Sequence, residues 1–418
     1  MAEEDPNSIL DTDLYKLTMH YAVWKTNPSL NVRYGFINRS SCTQKFTAEF
    51  FDRFKQKVKK LETRVLKREE KEWLSLNCSY LSSEYLDYLE TFRFEPSKHL
   101  RLEFQLTDRS NGLGDLVISV EGHWKDTILY EVPLLSMISE SYFETIDRDW
   151  SYEDQTKRAM SKANRLLECG CKFSEFGTRR RRSWKTQLMV VEAIRNAAQS
   201  SDLVSMISTS NVWMAYRFGL RPVGTIAHEY MMAEGALNGY KAVNIRAMSS
   251  WERSFPNHPE LLIALCDTFS SKVFFKELIE DPERAKRWTG LRQDSGDPKE
   301  FVLLAKEAYK KIGVDLKTKL IVFSDGLDVE TCVELKEFCR KQQVVCTFGI
   351  GTNLTNDFDK ISNKGDAGKA VCKSKPLNIV IKLLEVNGNP CVKISDELSK
   401  ATGPKETIEQ IKKNFLTL

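Results

Sequence analysis

None of the ten cysteines forms a CxxC pair, and the five histidines are not set at zinc-finger spacing. That speaks against a structural zinc site. Cys266 and Cys346 sit in apolar runs, where a cysteine behaves as a small core residue, so reduced thiols of a cytosolic protein are expected. No apolar run reaches the ~18 residues of a membrane span. The start, MAEEDPNSILDTD, is acidic and lacks the basic head and apolar stretch of a secretory signal. Strong net charge is missing too: 62 basic against 58 acidic residues leave +4, which excludes a general nucleic-acid binder. Any anion site must be local. These features predict a soluble, intracellular, cytoplasmic chain with no membrane partner; nuclear residence stays open.

What is present is ordinary globular material, 41% hydrophobic and 29% charged over 418 residues. Such a length suits two or three domains at ~150 residues each, or one barrel with insertions. Residues 1–130 mix short helices and strands. The stretch 47–72 has helical apolar spacing and many charges, as a surface-facing helix pair does. LRLEFQLT (100–107) and DLVISVEGH (115–123) alternate like half-buried antiparallel strands, with a turn at Asn111–Gly112. SYEDQTKRAMSKANRLLECG (151–170) reads as an amphipathic helix stopped by Gly170.

From about residue 130 short apolar runs recur, each closing in polar or small residues. They are KFSEFG (172–177), SMISTSN (205–211), PVGTIAHE (222–229), LIALCDTF (262–269), TGLRQDSGD (289–297), LIVFSDG (320–326) and VVCTFGIGTN (344–353). Helical stretches such as 298–312 and 328–342 lie between them. Strand, polar turn and helix in repetition mean parallel strands with crossover helices. Seven such units favour a barrel over an open sheet, with the site at the C-terminal strand ends. The expected class is α/β: an irregular TIM-like barrel at 131–373, an N-terminal α+β domain at 1–130, and a segment 374–418 that rejoins it. In that last segment LNIVIKLLEV and PCVKIS read as two strands about an Asn387–Gly388 turn.

Several strand ends carry chemistry. Arg179–Arg182 follow a Gly-Thr turn; such a run is a solvated face, a nucleic-acid patch, or a site for a small anion held by guanidinium forks. His228, after a strand and beside Glu229, is a structural histidine or a neutral nucleophile. LRQDSGD offers Arg292 and Asp294, where an N-cap explains an aspartate but not the arginine. SDG and FGIGTN are adjacent turns whose small residues let backbone N–H groups approach a phosphate. Tyr15 reads as a core aromatic. An unrelated barrel enzyme such as an aldolase would need a Schiff-base lysine or a metal cluster at the strand ends, and none is evident.

In order along the chain, DTDLYK, EFGTRRRR, TSN, GTIAHE, RQDSGD, SDG and FGIGTN resemble the nicotinate phosphoribosyltransferases. The likeness runs from about residue 9 to 415, and the segments 122–140 and 376–388 resemble the fungal branch. The resemblance implies a type II phosphoribosyltransferase fold and a homodimer with shared active sites. It implies synthesis of nicotinate mononucleotide and pyrophosphate from nicotinate and phosphoribosyl pyrophosphate in NAD salvage, coupled to ATP and using Mg²⁺. His228 would be the phosphorylated histidine, with Asp294 and Arg292 beside it in catalysis. Tyr15, contributed by the partner subunit, and Phe176 would sandwich the pyridine ring. Arg179, Thr225 and Arg292 would lie near nicotinate and phosphoribosyl oxygens. Asp294 and Asp325 would face the ribose or its Mg²⁺-bound pyrophosphate, with no direct protein ligand to the metal assigned. Gly349, Gly351 and Thr352 would cradle the 5′-phosphate. Asn211 would stand where nicotinamide-specific relatives place a carboxylate that repels an acid substrate.

Overall fold

A computed structural model describes residues 5–199, 203–363 and 372–416. Each of the seven apolar runs contributes one strand to a parallel sheet. They are Phe173–Glu175, Ile207–Thr209, Arg221–Pro222, Ile263–Leu265, Gly290–Gln293, Leu320–Phe323 and Val345–Ile350. Strand Val345–Ile350 pairs with both Leu320–Phe323 and Phe173–Glu175. The last strand thus returns to the first, the cyclic order of a barrel. The curl stays open at one seam, between Arg221–Pro222 and Ile263–Leu265, which do not pair. In register, Leu320 faces both Gly290 and Val345, and Phe173 faces both Phe348 and Ile207. Strands in such register finish at one rim, so their polar ends collect there.

The crossover helices follow from local chemistry. In Pro298–Lys311, Asp297 accepts hydrogen bonds from the Lys299 and Glu300 amides, and proline stands in the first turn. Phe301, Val302, Ala305, Ala308 and Tyr309 form its buried stripe. One expected strand is much shorter than its apolar run: PVGTIAHE leaves the sheet after Pro222. Gly224 takes φ +146, and a side chain there would begin 2.8 Å from the Tyr15 amide nitrogen. The chain turns instead into helix His228–Asn238.

The second sheet is antiparallel, with Ile379–Val386 paired to Asn31–Asn38, which pairs in turn with Leu113–His123. The C-terminal segment therefore rejoins the N-terminal region. PCVKIS departs from expectation. Only Asn389–Pro390 continues the hairpin beyond Asn387 (φ 48) and Gly388 (φ 79). Residues 391–402 then leave the sheet and cross to the barrel rim, where the Ile394 amide donates to the Thr268 carbonyl at 2.8 Å. Helix Glu131–Thr145, buried almost all round, packs against both Ile379–Val386 and the turn Thr178–Arg180. No helix among the described residues is long and apolar enough to cross a membrane.

Candidate active site

A cavity of about 1030 Å³ extends along the barrel to the starts of its strands, where Phe173, Leu320 and Val345 line it, and Tyr15, Phe176, Arg179, Thr225 and Arg292 line it as well. Phe176 follows its strand directly, and its amide donates to the Ile350 carbonyl at 2.8 Å. Its ring lies on Gly349, where a Cβ would come within 2.4 Å of the ring. Gly349 therefore makes room for Phe176; it does more than open a backbone to phosphate. Gly351 and Thr352 continue the same turn, and Thr355 Oγ1 donates to the Gly177 carbonyl at 3.1 Å.

Tyr15 reaches the cavity from the same chain, on helix Leu14–Thr26. Its phenol donates to Glu131 at 3.3 Å, and the Arg179 guanidinium stands 5.7 Å from its ring centre. Arg179 also meets Glu131 at 3.5 Å and Asp13 at 3.7 Å. Asn211 does not form the cavity wall. It is fully buried, its carbonyl caps helix Val212–Phe218 at the Met214 amide, and its amide donates to Asp11 at 2.9 Å. The preceding Ser210 lines the cavity and donates to Asp13 at 2.7 Å.

The arginine run divides. Arg181 is buried in a bidentate pair with Asp11 at 2.7 and 2.8 Å and meets Glu140 at 2.8 Å. Burial alone would raise Asp11, but the Arg181 guanidinium holds its carboxyl well below the usual range. Arg182 is buried over the Phe143 ring at 3.5 Å. Arg179 alone of the four lines the cavity, while Arg180 feels the carboxylates of Asp294 and Asp325. Of the readings open for the run, a solvated face does not hold for Arg181 and Arg182, which packing consumes.

His228 opens its helix beside the cavity. Nδ1 lies 3.0 Å from Thr268 Oγ1; Nε2 lies 3.0 Å from Asp294 Oδ2 and 2.9 Å from Lys393 Nζ. Burial, then the Lys393 ammonium, push the imidazole down to about 4, against the pull of Asp267 and Asp294. It is uncharged at neutral pH. Burial works to raise Asp294, but Arg292 at 3.0 Å and the hydrogen bond with His228 hold it well below the ordinary carboxylate range. Ser324 donates to the same carboxylate at 2.6 Å. Asp325 is raised by burial, with Lys400 at 2.5 Å opposing.

His228, Asp294 and Arg292 thus form one connected group, and Arg292 carries it to the wall shared with Phe176 and Tyr15. Sequence reasoning missed Lys393 and Lys400, which arrive on the C-terminal crossing and carry no motif. It also passed over Asp267 and Thr268, although CDTF ends an apolar run as the other site turns do. Donor atoms of His228, Asp267 and Asp294 lie within 4.8 Å of one another, the spacing of a metal cluster. The Lys393 ammonium already stands among them, 3.3 Å from Asp267, so a Mg²⁺ with oxygen ligands and retained waters does not fit there. The outer faces of Asp294 and Asp325, side chains 22% and 32% exposed, fit a Mg²⁺ carried on a substrate's phosphates.

Comparison with known proteins shows the family. A relative from Schizosaccharomyces pombe is 41% identical over 416 residues, covering 99% of this chain and 98% of its own. One from Saccharomyces cerevisiae, named nicotinate phosphoribosyltransferase, is 39% identical over 422 residues, covering 99% and 96%. A crystal structure of a Saccharomyces cerevisiae protein titled as a nicotinate phosphoribosyltransferase superposes with a TM-score of 0.93 at 38% identity, covering 100% of both chains. The family's N-terminal domain profile matches residues 10–139, and the profile described as the nicotinate phosphoribosyltransferase (NAPRTase) family matches residues 171–417. With that coverage over a barrel whose rim joins an aromatic cavity to an uncharged histidine, the chain belongs to the nicotinate phosphoribosyltransferase family.

Proposed function

We propose that this enzyme joins nicotinate to the C1′ of phosphoribosyl pyrophosphate, releasing pyrophosphate and coupling the reaction to ATP through a phosphorylated His228. The observation that carries this reading is one cavity lined by two aromatic side chains, Arg179 and Arg292, with Arg292 linked through Asp294 to His228, which lies outside the lining.

The pyridine ring stacks between Tyr15 and Phe176, which suits an electron-poor heterocycle. Arg179 takes its carboxylate, and Thr225 borders the same space. Gly351, Thr352 and Arg180 hold the 5′-phosphate at the turn behind Phe176. The pyridine nitrogen then attacks C1′; the C1′–O bond breaks and its electron pair leaves with pyrophosphate. Asp294 faces the positive charge that develops on the sugar, and positioning supplies most of the rest. Asp294 and Asp325 would hold a Mg²⁺, which would supply charge neutralisation to the pyrophosphate. As Nε2 of neutral His228 attacks the γ-phosphorus of ATP, its proton passes to Asp294 Oδ2, 3.0 Å away: an N–P bond forms, the P–O bond to ADP breaks, and water later takes the phosphoryl group as phosphate, breaking the N–P bond and restoring the imidazole.

Two measurements test this. Purified protein should turn over nicotinate at least ~100-fold more efficiently than nicotinamide, because only the acid pairs with Arg179. Similar kcat/KM for the two would reject the substrate assignment. His228→Asn should abolish transfer of labelled γ-phosphate to the protein and uncouple ATP use from product; labelling that survives the substitution would reject the acceptor.

A further inference from the structure

The proposed mechanism makes no use of Lys16, yet this side chain is fully buried with its ammonium 2.6 Å from both Glu131 and Glu229. Replacing a buried ion group by apolar packing of the same volume is often neutral for stability, so its geometry invites a search for a further role. Its partners lead to opposite walls of the site. Glu131 accepts the Tyr15 phenol at 3.3 Å and meets Arg179 at 3.5 Å, so it holds the proposed nicotinate clamp. Glu229 is the neighbour of His228 in the first turn of helix His228–Asn238 and also meets the Tyr34 phenol at 3.5 Å.

Helix Leu14–Thr26 grips the approach to His228 at further points. Thr18 Oγ1 donates to the Thr225 carbonyl at 2.6 Å, and the Ala227 amide donates to Met19 Sδ at 3.4 Å. The Tyr15 backbone closes on Gly224. These contacts lie beside the unpaired seam of the barrel and hold residues 224–227, which follow the last ladder bond, from the Val223 amide to the Thr209 carbonyl. The helix that carries Tyr15 therefore also sets the histidine, and Lys16 is the charged joint between them.

We propose that Lys16 is a positioning residue that keeps the nicotinate clamp and His228 in a common register by bridging Glu131 and Glu229. The inference rests on the proposed roles of Tyr15, Arg179 and His228. Neutral Lys16→Met leaves two carboxylates facing each other without a cation. It should raise the nicotinate KM and slow phosphate labelling of His228, each by about 10-fold, the equivalent of ~1.4 kcal/mol. Glu229→Gln leaves Lys16 paired with Glu131, so it should slow labelling while nicotinate KM stays within about twofold. Melting temperatures recorded alongside separate these effects from simple loss of stability.

A lowered melting temperature for Lys16→Met with both functional readouts unmoved would reduce Lys16 to a structural role and overturn the proposal. If Lys16→Met does not fold, Glu229→Gln decides: unchanged labelling overturns the proposal, and slowed labelling at constant KM supports it. Failure of the underlying reading looks different, because the unsubstituted protein would then take no label or would not use nicotinate.

Discussion

At the scale of single residues, the site depends on contacts too close to allow exchange. Gly349→Ala should drive a methyl group into the Phe176 ring, since the space there ends 2.4 Å from an ideal Cβ. Overpacking of this kind costs ~1–3 kcal/mol, and here the ring that must move is half of the proposed clamp. A rise in nicotinate KM with little change in KM for phosphoribosyl pyrophosphate is expected from steady-state kinetics. An effect on phosphoribosyl pyrophosphate alone would return Gly349 to phosphate binding. His228 is held near 4 by burial and Lys393, below its ordinary 6.5. In the interval between those values the unfolded chain binds more protons than the folded one, so this group adds stability as pH rises and the gain is complete above about 6.5. Histidine labelling by ATP should accordingly stay level from pH 8 to about 5.5 and fall as pH approaches 4, where imidazolium forms.

At the scale of elements, the crossing at residues 391–402 decides the site's electrostatics. It inserts Lys393 beside His228 and Lys400 beside Asp325, and the Ile394 amide ties it to the turn after strand Ile263–Leu265. Removing the charge with Lys393→Met relieves one of the two effects that keep His228 neutral. The acid limb of the labelling profile should then move to higher pH; a limb that stays in place would mean that burial alone sets the imidazole. The strands themselves were legible in the sequence. Strands buried on both faces read as apolar runs, and six of the seven runs hold a strand within them, while the seventh, 222–229, gives the sheet only Pro222. The exception, at Gly224, arises from a contact with Tyr15 more than two hundred residues away, which no local pattern records. PCVKIS misleads for a similar reason: its alternation suits a strand, but the rim of the barrel offers it other hydrogen bonds.

At the scale of the whole molecule, Tyr15 and Phe176 of one chain line one cavity. If each Tyr15 serves the cavity it lines, mixing Tyr15→Ala with Phe176→Ala protein restores no activity. Recovery toward a quarter of the unsubstituted rate, as expected when sites are shared between subunits, would show that Tyr15 crosses to a partner in solution. The same scale explains the arginines. Four in a row look alike from composition, and only the assembled fold buries Arg181 against Asp11 and Arg182 against Phe143, leaving Arg179 at the cavity.

Apolar periodicity and strand-end chemistry are short-range properties, so the barrel, its rim, and the places of His228, Arg292 and Asp294 could be read from neighbouring residues alone. Three-dimensional packing decided the remainder: that Tyr15 stands at the cavity beside Arg179, that Ser210 and not Asn211 meets the cavity, that Lys393 and Lys400 stand beside His228 and Asp325, and that Lys16 joins Glu131 to Glu229. A lone lysine or asparagine carries no local mark of its partner. Its role is set by whichever charge or hydrogen-bonding group the fold places within about 3 Å, and that depends on the whole chain at once.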